Sequence, residues 1–91
     1  MALRITAIRL SGGETHQHIV RLWWSNPSTG ATGDNSRAEV VDWIEQGGKA
    51  YVQDGGNRVE VGVVKPASGD KYLRTYADGV WTNNLLALPR R

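Results

Sequence analysis

The chain contains no cysteine. That excludes a disulfide framework, a thiolate nucleophile and any zinc site built on cysteine. It also lacks an apolar run of membrane-spanning length. The opening stretch MALRITAIRL is interrupted by Arg4 and Arg9, which does not suit the apolar segment of a signal peptide. Charge of either sign is scarce in excess: 11 Lys and Arg stand against 9 Asp and Glu, a net charge of +2. The sequence shows no internal repeat, coiled-coil heptad or low-complexity segment. These absences, with 91 residues of which 40% are hydrophobic and 22% charged, lead us to expect one folded α+β domain over residues 1–91, cytoplasmic and with no membrane partner.

The charge is unevenly placed. Residues 1–36 carry +1, residues 37–64 carry −2 and residues 65–91 carry +3. Two of the basic groups in the last third are the terminal Arg90 and Arg91, which read as a solvated tail. The pattern is a mildly basic C-terminal end rather than the broad basic face of a strong nucleic-acid binder.

The segment 3–10, LRITAIRL, is rich in aliphatic and β-branched residues and reads as a strand. SGGET supplies a turn, and 16–24, HQHIVRLWW, reads as a second strand antiparallel to the first. Residues 25–35 are polar, Gly-rich and contain Pro27, the composition of a long mobile loop. One helix follows over 36–46. Ser36 and Glu39 have capping-box spacing, Val40, Val41, Trp43 and Ile44 form an apolar stripe, and Gly47-Gly48 ends it. Residues 50–53 and 58–64 flank the tight-turn sequence DGGN, with Val59, Val61 and Val63 alternating with Arg58, Glu60 and Gly62. A strand over 71–76 then meets an Asp78-Gly79 turn. The expected architecture is a four- to five-stranded, mainly antiparallel sheet in the order β-β-α-β-β-β. One helix covers one face, and the C-terminal segment packs as a lid or an edge.

Trp23 and Trp24 are neighbours on an expected strand, so they face opposite ways. A lone helix covers one face, which we assign to His18, Val20, Leu22 and Trp24. Ile19, Arg21 and Trp23 then lie on the other, and an uncovered indole marks a binding or packing surface. Leu85, Leu86 and Leu88, bounded by Asn83 or Asn84 and by Pro89, have the spacing of one helical turn that folds back as a lid. Arg21, Trp23, Arg74 and Tyr76 together have the Arg and aromatic composition of a binding surface.

Three stretches, ITAIRLSGG, SRAEVVDWIEQG and YLRTYADGVWTNNLLALP, resemble a family of short bacterial and phage-associated domains of unknown function. The likeness covers nearly the whole chain and its closing motif is the most specific part. It implies a small compact domain and carries no activity, cofactor or catalytic residue.

Other motifs point less far. His16 and His18 are two residues apart, but zinc needs a third protein ligand, and they read as partly exposed strand residues. The loop TGATGDNSR enters a helix whose first turn holds Arg37, a candidate anion contact. It lacks the P-loop lysine, and Asp34 opposes an anion. No nucleophile elbow occurs, and Asp34, Asp54, Asp70 and Asp78 all lie in turn sequences. We therefore expect no catalytic residue, no metal and no cofactor. The leading reading is a non-enzymatic binding module, its partner a protein or a second copy docked through a sheet face or edge. The alternative is weak nucleic-acid binding through the basic C-terminal end and the Arg/aromatic face.

Overall fold

A computed structural model describes residues 2–77 and 79–91, with Asp54 described by its backbone alone. Asp78, and with it half of the expected Asp78-Gly79 turn, lies outside the described residues. The elements are β1 (Ala2–Leu10), β2 (Ile19–Ser25), β3 (Thr32–Ser36), α1 (Arg37–Glu45), β4 (Lys49–Asp54), β5 (Asn57–Val64), β6 (Tyr72–Ala77) and β7 (Val80–Thr82). All seven strands form one sheet in the order β3-β2-β1-β4-β5-β6-β7. Every pairing is antiparallel except β1 with β4, which run parallel.

The α+β class is as expected, but the sheet has seven strands instead of four or five, and its strand order differs. All of the added β3 but Ser36 lies inside the stretch read as a loop. Its sequence, TGDNS, has turn composition and no apolar alternation. It is a strand because β2 pairs with it along its length, and pairing outweighs such weak local preferences. The added β7 spans three residues at the opposite edge. The histidines also depart from expectation: His16–His18 is one turn of 3-10 helix, not strand.

Two β-bulges shape the β1–β2 pair. Thr6 is the extra residue on β1 and Val20 the extra residue on β2. A bulge resets which face the following side chains take. Ile19 is therefore fully buried in the core, whereas Val20 is exposed. The expected assignment of those two residues is reversed, while Leu22 and Trp24 keep theirs.

The helix forms as its sequence dictates. Ser36 accepts from the Glu39 amide, and the Glu39 carboxylate accepts from the Ser36 amide, completing the capping box. At the other end the Gly47 amide donates to the Ile44 carbonyl and the Gly48 amide to the Trp43 carbonyl. This double closure requires a left-handed residue, which Gly47 supplies with φ 103°. Helix α1 touches β2 and β3 from one half of the sheet and β5 and β6 from the other, and the 3-10 turn touches β6. The sheet is thus curled around the helix, and the core lies between them. Ile5, Ile8, Ile19, Leu22, Val40, Val41, Val52, Val61 and Leu73 fill it.

The C-terminal segment completes the core. Leu85 is 0% exposed within it, with Leu86 and Leu88 packed alongside. Two successive turns, Ala87 N–H to the Asn84 carbonyl and Leu88 N–H to the Leu85 carbonyl, present these leucines. Beyond them the chain joins the edge of β1 that β4 has left. The Ile8 amide donates to the Pro89 carbonyl at 3.0 Å, and the Arg91 amide donates to the Ile8 carbonyl at 2.9 Å. Among the described residues β4 pairs with β1 across Ala2–Arg4, and residues 89–91 meet the same edge further on, at Ile8. The segment is both lid and edge.

Candidate functional site

Strand register fixes which side chains share the outer, convex face, because cross-strand partners point the same way. Trp24 pairs with the core residue Ile5 and with Gly33, so that row points inward; Gly33 has no side chain to obstruct the indole lying against it. The rows on either side point outward. One contains Arg4, Ser25 and Thr32, and runs on through Tyr51, Glu60, Tyr76 and Trp81 across the whole sheet. The other contains Ala7, Trp23 and Asp34. Two steps further, Arg9, Arg21 and Ser36 also face outward. Trp23 and Trp24 thus look in opposite directions.

Trp23 is the centre of a cationic cluster. The Arg9 guanidinium lies 5.2 Å from its ring centroid and that of Arg91 lies 5.1 Å away. Both are at cation–π distance. Arg9 Nε also donates to the Arg91 carbonyl at 2.8 Å, which ties the two cations together. Arg21 pairs with Asp34 through Nε and Oδ2. Beside the indole a shallow groove of about 370 Å³ is lined by Thr6, Trp23, Ser25, Thr32, Asp34 and Arg91, among others.

Arg74 and Tyr76 share the same outer face, since their neighbours Leu73 and Thr75 are fully buried. They belong to β6, however, with β1, β4 and β5 between them and β2 in the sheet order. They form a second cluster. Tyr76 meets Trp81 edge to face at 5.2 Å. Arg74 is tied down, donating to the Thr82 carbonyl at 3.1 Å and to Asn83 Oδ1 at 3.0 Å. Between the clusters the Arg58 guanidinium lies 4.5 Å from the ring centroid of Tyr51. The four residues Arg21, Trp23, Arg74 and Tyr76 share one face but not one contact patch.

The sequence reading did not single out Arg4, Arg9, Arg58 and Arg91. The signal for Arg9 was present, because it lies at the parity of Arg21 across a short antiparallel connection. Arg91 left no signal: a chain end docks through tertiary contacts that composition does not encode.

Arg37, the candidate anion contact, donates to the Gln17 carbonyl at 2.9 Å and reaches Asp70 at 3.5 Å. It fastens the helix start to neighbouring loops. His18 Nδ1 bonds Thr15 Oγ1 at 2.7 Å. His16 is 7% exposed, and its Nε2 has no hydrogen-bond partner. Burial, and then the positive charge of Arg74, pull its pKa below the usual imidazole range. Among the described residues no three His, Cys, Asp or Glu side chains gather as a metal site. No helix among them is long and apolar enough to cross a membrane.

Fold and surface together define a small α+β module: one curled mixed sheet around one helix, with a cationic, aromatic outer face. The chain belongs to a family described as protein of unknown function, DUF3892, which it matches over residues 4–89. No curated protein and no solved structure matches it.

Proposed function

We propose that the chain is a non-enzymatic binding module that takes single-stranded nucleic acid on the outer face of its sheet. The observation that carries this reading is the pairing of Arg9 directly opposite Arg21 on that face, with Arg9 and Arg91 both held over Trp23. Like charges directly opposite weaken a sheet, by roughly 0.2–1 kcal/mol on the scale of such pairs. Asp34 pairs with Arg21, while Arg9 and Arg91 stand over the ring, where an outside anion can reach their remaining N–H groups. A phosphodiester chain supplies that charge beside the covered Trp23 ring, and the bases find exposed rings at Tyr76 and Trp81. Among the described side chains the outer face carries Arg4, Arg9, Arg21, Lys49, Arg58, Arg74 and Arg91 against Asp34 and Glu60, so the surface is more basic than the net charge of +2 suggests.

The test is fluorescence anisotropy of a labelled single-stranded oligonucleotide of about 15 nucleotides. Engagement of three or four cations gives a log K against log salt slope of about −2 to −3. Binding that ignores salt, or no binding at about 50 mM salt, overturns the reading.

A second reading rests on the β7 edge, where Val80 is 62% exposed and Trp81 40% exposed. A protein partner or a second copy adding a strand there covers both. Sedimentation that shows a dimer for the native chain and a monomer for Trp81→Lys supports it; a monomeric native chain removes the second copy as occupant.

A further inference from the structure

A cleft separate from the outer face opens between the sheet and the helix. It has a volume of about 250 Å³ and is lined by Leu3, Ile5, Trp24, Asn35, Glu39, Val40 and Trp43. One wall comes from β1 and β2, the other from α1. Each wall contributes an indole whose position depends on a glycine. Trp24 lies against Gly33, and Trp43 lies against Gly48. A Cβ at either glycine would collide with the ring, so the backbone leaves each indole its place at the cleft. The floor is aliphatic.

The polar groups are few and directed. Trp24 Nε1 donates to Asn35 Oδ1 at 2.8 Å, which fixes that ring. Glu39 Oε1 accepts from the amide and hydroxyl of Ser36, each at 3.0 Å. Those bonds, with one from Asn35 and the more distant positive charge of Arg21, hold the Glu39 carboxyl ionised. Arg21 is itself paired with Asp34. Among the described residues that line the cleft, Glu39 is the carboxylate and none is a lysine or arginine.

The geometry points to a binding site for a small organic cation of the quaternary-ammonium class, received between Trp24 and Trp43 with Glu39 as its counter-charge. The negative faces of indoles attract such cations, which carry no N–H and need no hydrogen-bond acceptor. The size fits: a cavity of roughly 150 Å³ holds benzene, so this cleft has room for a trimethylammonium group and a short tail. A neutral ring of the same bulk would use the walls and floor but not the carboxylate.

Choline is the probe, followed through the indole N–H signals of Trp24 and Trp43 in ¹⁵N-labelled protein. The control ligand is 3,3-dimethylbutan-1-ol, which has choline's shape without its charge. Choline should shift both signals, and the alcohol should bind at least about fivefold more weakly. The variant Glu39→Gln keeps the capping box, since glutamine serves that position as well, and it removes only the charge. It should weaken choline at least about fivefold and leave the alcohol unchanged. Equal binding of choline and alcohol, undiminished choline binding by Glu39→Gln, or no shift at either indole overturns the proposal. An oligonucleotide on the outer face does not touch this cleft, so the two readings stand or fall separately.

Discussion

Shortening Leu85 to alanine tests whether the C-terminal segment is an integral part of the fold. Leu85 is fully buried among residues drawn from sheet and helix. The truncation loses the transfer free energy of the missing atoms and leaves a cavity, together about 2–5 kcal/mol for buried leucines. The segment is held to β1 by two backbone bonds at Ile8, and such a light tether lets it settle partly into the space. We therefore place the loss near 3 kcal/mol. For a chain of 91 residues, that is a large share of a total near 5–13 kcal/mol and lowers Tm by roughly 12–24 °C. Urea unfolding followed by tryptophan fluorescence measures it, with the slope m unchanged. Leu86→Ala, at a partly buried position, should cost about 1 kcal/mol. A loss below about 1 kcal/mol for Leu85→Ala refutes the reasoning: the segment would then be loosely docked, and Arg91 would not be held over Trp23.

Two further changes follow from the geometry. Ser36→Ala removes the helix cap and should cost about 1 kcal/mol, read from urea midpoints; an unchanged midpoint would mean that the capping box adds nothing to the start of α1. Burial, and then Arg74, lower the pKa of His16 in the folded chain, whereas the unfolded chain takes up a proton near pH 6.5. The unfolded state thus binds more protons as pH falls below about 6.5, and stability drops from there until the lower folded pKa is reached. His16→Leu should flatten that part of the pH profile, and a slope identical to that of the native chain would remove His16 as its source.

The helix was legible in the sequence because its signals are local: Ser36 and Glu39 at one end, Gly47 at the other, and a stripe between them. β5 was legible, as a strand over 58–64, because its valines alternate. β3 was hidden because Thr-Gly-Asp-Asn-Ser carries no strand signal of its own and extends only through pairing with β2. The parallel contact of β1 with β4 was hidden for a related reason, since nothing local marks which distant strand takes an edge. The opposed directions of Trp23 and Trp24 followed from strand geometry. What covers Trp23 did not, because Arg91 arrives from the far end of the chain after Leu85 has docked. Ile19 was placed on the wrong face, since a single-residue bulge at Val20 inverts everything before it and has no composition to announce it.

The most direct measurement for the outer-face account is a ¹H–¹⁵N titration of the native chain with a short single-stranded oligonucleotide at low salt. The account predicts shifts at the Trp23 indole and at Tyr76 and Trp81, while the Trp24 indole, bonded to Asn35, and Trp43 stay in place. Movement confined to Trp24 and Trp43, or a Trp23 signal that does not move at saturation, would contradict it.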